Sequence, residues 1–368
     1  MCSCLSRSLN GDSEGDHEEA VDSRQSSGSR QPSAAQDCRL TADCRLMTAD
    51  PSRLTPVIVG PTAVGKTAVA VALAALLPVE VISADSRQVY RNLDIGTAKP
   101  TKKERAGVPH HGLDLIQPGE RYSAGRFARA AADWVKDVRS RGKLPVVVGG
   151  TGLYVRALAE GLFEQPAMDV GRRRGIEAWA SGLEPLELVR WAGRLDAGFA
   201  GGGRQRAVRA IEVALLTGQS LSTWQREAKS AGAIVPWYVR LTVPRAVLHS
   251  RIKHRATQMI QAGMIEEVAA VLADGAVAGS PGLDGVGLRE AVAYLTCGGD
   301  RTAVAEAITI STRQYAKRQE TWFRHQLPAE TISLDATRPA AAVAAEIAEL
   351  WEKREEEPRL REEERRQR

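Results

Sequence analysis

The sequence predicts an α/β fold: a phosphate-loop parallel sheet flanked by helices, with a small helical insertion and a helical C-terminal part. Three observations lead there. An apolar run, Pro56-Val57-Ile58-Val59, passes through a glycine-rich turn into an Ala/Val/Leu-rich stretch reaching about Leu77. Two more short apolar runs, Val79–Ser83 and Leu144–Val148, are separated by a stretch of helical periodicity. Beyond about residue 200 the pattern is helical, apart from one apolar run at Tyr238–Val243.

Residues 1 to about 53 are rich in Ser, Asp, Glu, Gly and Arg and lack apolar periodicity, so disorder is expected there. They contain no apolar core of a secretory signal. A near-repeat, CRLTAD at 38–43 and CRLMTAD at 44–50, suggests that translation starts at Met47. Four of the five cysteines (Cys2, Cys4, Cys38, Cys44) fall in this segment, which is no disulfide framework and points to a reducing cytoplasm. Their long polar spacer argues against a zinc site.

The turn at 60–67 is Gly60-Pro61-Thr62-Ala63-Val64-Gly65-Lys66-Thr67, which fits G-x-x-x-x-G-K-[ST]. Between a strand and a helix, its backbone N–H groups can turn inward around an anion, helped by the positive end of the helix dipole. Lys66 adds a full charge, and Thr67 a hydroxyl suited to Mg²⁺. The loop implies a bound diphosphate or polyphosphate without saying which.

Residues 54–160 form the core region of alternating strands and helices. Asp85 directly follows the second strand, in DSRQVY. Ligands of open parallel sheets sit beyond the carboxyl ends of the strands, so Asp85 belongs near the phosphate loop. It is a general base, a Mg²⁺ partner, or a cap of the next turn. A helix at about Ala124–Arg141 shows Phe127, Ala131, Trp134, Val135 and Val138 on one face. The third strand runs into Gly149-Gly150-Thr151-Gly152 with no acidic residue, unlike motor ATPases and switch GTPases. Thr151 could meet the same ligand. His110 and His111 are adjacent, point opposite ways in an extended chain and make a poor metal pair.

Residues 161–203 carry many arginines (Arg172, Arg173, Arg174, Arg190, Arg194) and no strand, which reads as the helical insertion. Residues 204–350 return to the core, with helices at about Gln205–Leu216, Val247–Ala273, Leu288–Cys297 and Arg301–Arg324. Arg206 and Arg209 share a face opposite Ile211 and Leu215 and could clamp a phosphate or simply face solvent. Arg313, Lys317 and Arg324 fall on one side of a helix with interleaved aromatics, a stripe suited to a nucleic-acid backbone or to water. The charged tail at 351–368 is solvated.

Composition bounds the rest. The 368 residues are 43% hydrophobic and 26% charged with net charge +5, compatible with an RNA partner. No run approaches the roughly 20 apolar residues of a membrane span.

Several segments together resemble the tRNA dimethylallyltransferase (tRNA isopentenyltransferase) family, bacterial type. They are GPTAVGKT at 60–67, DSRQVY at 85–90, DIGTAKP at 94–100, VPHH at 108–111 and VVGGTGLYV at 147–155. RQRAVRAIEV at 204–213, GMIEEV at 263–268 and TRQYAKRQETWFR at 312–324 follow in order. The resemblance covers roughly residues 55–327. It implies transfer of a dimethylallyl group from dimethylallyl diphosphate to the exocyclic amine of an adenine beside the tRNA anticodon, with Mg²⁺. Loops of this kind also hold ATP.

By that resemblance, Asp85 is the general base and Thr62 to Thr67 cradle the diphosphate, with Arg209 beside it and Thr67 on the metal. Asp85, Ser86, Arg87, Gln88, Thr151, Arg173 and Gln205, Arg206, Ala207, Val208, Arg209 contact the tRNA anticodon stem-loop. A soluble cytoplasmic monomer is expected. Two departures stand out: Gly201-Gly202-Gly203 replaces a Pro-Asn-Asp type turn, and GLRE at 287–290 lacks the usual tyrosine. The competing reading is a P-loop small-molecule or nucleoside kinase, which needs the loop and Asp85 but leaves the basic helix at 312–324 unexplained.

Overall fold

The structure, a computed structural model, describes residues 54–161, 168–227 and 232–367. The disorder, start-site and zinc readings on residues 1–53 lie outside these. Six parallel strands form one sheet in the order β3-β2-β4-β1-β5-β6. These are β1 (Leu54–Val59), β2 (Val79–Ser83), β3 (His110–His111), β4 (Leu144–Gly149), β5 (Val235–Thr242) and β6 (Ile332–Asp335). β1 lies centrally, with Ile58 opposite Val148 on one side and Val239 on the other.

Strands covered on both faces read as continuous apolar runs, which is why β1, β2 and β4 were legible. Alternate side chains divide between two cores. Val57, Val59, Ile82 and Val147 face one core with Phe127, Ala131 and Val135 of α3 (Ala124–Ser140). Ile58, Val81, Val146 and Val148 face the other. There they meet Val69, Ala70 and Leu73 of α1 (Lys66–Leu73) and Val343, Ile347 and Trp351 of α13 (Ala340–Gln367).

Two strands were not anticipated. β3 has two residues and β6 four, too few for a visible alternation. The chain also forms α2 (Lys102–Gly107), α4 (Gly152–Glu160), α5 (Val170–Ser181), α6 (Pro185–Leu195), α7 (Arg204–Thr217) and α8 (Leu221–Glu227). α9 (Arg245–Gln261), α10 (Met264–Ala273), α11 (Leu288–Cys297) and α12 (Arg301–Gln326) lie between β5 and β6. The single helix expected at 247–273 is two, because Gly263 takes φ 97° and turns the chain between α9 and α10. Among the described residues no helix is long and apolar enough to cross a membrane.

The arginine-rich insertion has its own small core: Ala180, Leu188 and Ala192 with Ala207, Ala210 and Ile211. α7 supplies three of these, so the packed helical unit extends past the boundary expected at 203. Leu215, expected beside Ile211 on the buried face, is 46% exposed. Gly203 starts α7 without a side-chain cap, which leaves its first amides without side-chain partners.

At the β3 edge the two histidines do point apart. His110 Nδ1 lies 2.8 Å from the Val108 carbonyl, and His111 Nε2 lies 2.8 Å from the buried Glu80 carboxylate. Arg141 donates to both Glu80 oxygens and, at 2.8 Å, to Asp137. Bonds from Arg141, then from His111, hold the Glu80 carboxyl down at about 2. A depressed carboxylate stabilises the fold above its unfolded value near 4.5, and that stabilisation is lost as pH falls toward 2. Glu80→Gln is therefore expected to cost about 2 kcal/mol at pH 7 and progressively less below pH 4.5. Melting curves of both proteins from pH 7 to pH 3 test this. A pH-independent gap between them would contradict it.

Candidate active site

The phosphate loop joins β1 to α1 at the carboxyl edge of the sheet. Lys66 is folded back, its Nζ donating to the carbonyls of Gly60 (2.9 Å) and Pro61 (2.8 Å). Burial lowers its pKa to about 8; Asp85 opposes this and Arg255 adds to it. The Thr62 N–H donates to Gln319 Oε1 at 2.8 Å, and Gln319 Nε2 donates to the Gly150 carbonyl at 2.8 Å. A buried glutamine of α12 thus fastens the loop to the turn after β4.

That turn also locates Asp85. A Cβ on Gly149 would lie 2.2 Å from the Ala84 carbonyl oxygen, so glycine lets β4 press against the residue before Asp85. Thr151 donates its backbone N–H to Ala84 (3.2 Å), and its hydroxyl oxygen accepts from the Ser86 N–H at 3.0 Å. Asp85 Oδ1 accepts from the Arg87 N–H at 2.9 Å, so the capping role is real. It does not exhaust the residue, because Asp85 lines two clefts.

One cleft, of about 730 Å³, is lined by the phosphate loop and α1 from Thr62 to Val69 and by Arg251 and His254 of α9. The other, of about 340 Å³, is lined by Arg87, Met259, Ile308, Tyr315 and Arg318 among others. Five residues line both: Thr62, Asp85, Thr97, Ala98 and Arg255. A carboxylate and a guanidinium therefore stand where the phosphate-loop cleft meets a second, partly apolar one. Burial lowers the Arg255 pKa and the Asp85 charge raises it. Burial pushes the Tyr315 phenol up to about 12, and the Asp85 charge adds to that.

The expected site residues divide into two groups. Gly60 to Thr67, Asp85, Ser86, Arg87, Gln88 and Thr151 come together around this junction. Arg209 and Arg173 line neither cleft. Their guanidinium groups lie 3.3 Å and 3.4 Å from the buried Glu212 carboxylate in the helical unit. Gln205 and Arg206 are exposed on the first turn of α7, Ala207 is buried and Val208 half-buried.

Arg255 lines both clefts with Asp85 and, like Lys66, feels its charge; periodicity could not single it out among Arg251, Lys253 and His254 on the same helix. The basic stripe of α12 holds together: Arg313, Lys317 and Arg324 line a groove with Arg245 and His249. Its aromatics serve otherwise, with Phe323 buried in the core and Tyr315 in the second cleft.

Among the described residues no group of three or more His, Cys, Asp or Glu could hold a metal by itself. Thr67, Asp85 and Gln88 do line one crevice beside Lys66. One hydroxyl and one carboxylate, with phosphate oxygens and water, suit Mg²⁺, which keeps much of its hydration shell.

Residues 55–114 match the isopentenyl transferase family and residues 88–326 the IPP transferase family. A tRNA dimethylallyltransferase of Aromatoleum aromaticum is 41% identical over 303 residues, covering 79% of this chain and 94% of that protein. One from Stenotrophomonas maltophilia is 40% identical over 316 residues, covering 82% of this chain and 100% of the relative. The full-length tRNA isopentenylpyrophosphate transferase of Bacillus halodurans superposes with TM-score 0.61 at 34% identity, covering 84% and 99% of the two chains. A eukaryotic dimethylallyltransferase acting on tRNA superposes at TM-score 0.64 and 26% identity, over 77% of this chain and 74% of that one. With its phosphate loop, strand-end carboxylate and this breadth of likeness, the chain belongs to the tRNA dimethylallyltransferase family.

Proposed function

We propose that this protein transfers the dimethylallyl group of dimethylallyl diphosphate to the exocyclic amine of the adenine beside the tRNA anticodon, releasing diphosphate. The observation that carries this is the shared lining of two clefts at Asp85 and Arg255. Two substrates need two approaches that converge on the reacting atoms. A small-molecule kinase would use the first cleft, but the family relationship does not favour it.

The chemistry assigns each residue a task. The amine lone pair is delocalised into the adenine ring, so attack on the allylic carbon is weak without a base. A C–N bond forms, the C–O bond to diphosphate breaks, and the amine proton passes to Asp85. Lys66, the loop N–H groups and Arg255 stabilise the departing anion. Arg255 here takes the role first expected of Arg209. Thr67 would hold Mg²⁺, which would neutralise charge on the diphosphate oxygens. The adenine must leave its stack to reach the second cleft. Arg87 and Arg318 there, and the exposed Gln205 and Arg206, are suited to RNA phosphates. The tRNA substrate supports a cytoplasmic site of action.

The test combines labelled dimethylallyl diphosphate, Mg²⁺ and unmodified tRNA. Label is expected in tRNA, and none in a tRNA with that adenine replaced. No label in tRNA, with ATP consumed on a panel of small molecules, would overturn the transferase reading.

A further inference from the structure

The loop 94–98, DIGTA, contributes Thr97 and Ala98 to both clefts, so it is their common wall. It is held from several sides. Gln88 Nε2 donates to the Ala98 carbonyl at 3.1 Å. The buried Lys99 ammonium donates to the Tyr90 carbonyl (2.6 Å), Asp94 (2.7 Å) and Asp114 (2.5 Å). Ala98 sits at φ 50°, a left-handed conformation that a non-glycine residue keeps only where its surroundings impose it.

The remaining anchor comes from another element. Glu267, in the first turn of α10, accepts from three consecutive backbone N–H groups. Its Oε1 takes those of Asp94 (2.5 Å) and Ile95 (2.8 Å), and its Oε2 takes that of Gly96 (2.8 Å). Successive N–H groups converging on one anion form a nest, and here the anion is a side chain. A Cβ on Gly96 would fall 2.5 Å from Leu288 Cδ2 and 3.4 Å from Glu267 Oε2, so glycine lets the loop lie close against both side chains.

We propose that Glu267 is a positioning residue of the transfer site: its carboxylate fixes the 94–98 wall and thereby the approach of the two substrates to each other. This rests on the transferase reading above. Glu267 lines neither cleft described around Asp85, so it acts through the loop. Misplacing reacting groups by about 1 Å can cost on the order of 100-fold in rate. A partly loosened wall should therefore lower turnover without removing tRNA contacts.

The variant is Glu267→Gln, which keeps the size but replaces one acceptor oxygen with an NH₂ group, leaving at least one loop N–H without its partner. Hydrogen exchange followed by mass spectrometry should show 94–98 exchanging about tenfold faster while the α10 amides stay as in wild type. In the transfer assay kcat should fall about tenfold, with the KM for tRNA within about twofold. Glu266→Gln, one residue away on an exposed side chain paired with Arg301, should leave loop exchange and kcat unchanged. Unaltered exchange at 94–98 overturns the proposal, as does faster exchange throughout α10 or a raised KM with kcat intact. Wild-type transfer with equal rates in the variant sinks this proposal alone. Absence of transfer in wild type sinks the transferase reading as well.

Discussion

Asp85→Asn lowers kcat roughly 100- to 10,000-fold, the span a positioned general base commonly supplies, while tRNA affinity stays within about twofold. The substitution is nearly isosteric. An asparagine Oδ1 can still accept from the Arg87 N–H, so the turn after β2 should persist. What disappears is the ability to take the amine proton. The anion beside Lys66 and Arg255 disappears too, and with it some competition for those cations. Dimethylallyl diphosphate should therefore bind at least as well to the variant. Steady-state kinetics with both substrates, alongside direct tRNA binding, separate these effects. Undiminished kcat would remove Asp85 as the base and leave it as the cap of its turn.

Lys66→Ala weakens diphosphate binding by about 10- to 100-fold, since a charge-assisted hydrogen bond contributes about 1.5–3 kcal/mol. Stability should move little. The Lys66 ammonium donates to the carbonyls of Gly60 and Pro61, and burial draws its pKa down to about 8. Desolvation thus offsets much of what its bonds contribute. The residue is held in a position whose return comes when an anion arrives. Calorimetric titration with inorganic diphosphate, plus a melting curve, tests both halves. Equal affinity in the two proteins would contradict the cradle. A large fall in melting temperature would show that Lys66 is mainly a structural tie.

The site was legible where its chemistry is contiguous. Eight residues in a row carry the phosphate loop, because backbone N–H groups can surround an anion only from a continuous turn. Asp85 was found by a rule about strand ends, which needs only the strand to be recognised. Arg209 and Arg255 show where this stops. Both are arginines on amphipathic helices, and helical periodicity says which face a residue occupies but not what that face meets. Arg209 pairs with Glu212 in the helical unit, while Arg255 lines the two clefts beside Asp85. Glu267 lies in the GMIEEV segment that marks the family, but nothing local showed its role, since its partners are main-chain groups about 170 residues away.

The same division runs through the fold. The sequence by itself determined the parallel α/β core, because strands buried on both faces are mostly apolar, as Val57–Val59 and Leu144–Val148 are and as Val79–Ser83 is apart from Glu80 and Ser83. It also determined the phosphate-loop motif at 60–67 and, through its ordered motifs, the family. Tertiary structure alone decided that β6 closes one edge, that Gly263 divides one helix into two, and that α7 joins the arginine-rich unit. It alone placed Arg255 and the 94–98 loop at the meeting of two clefts. The reason is physical. Burial and period are written into each segment locally, whereas pairing between segments is fixed only when loop closure and packing bring distant groups within hydrogen-bond reach.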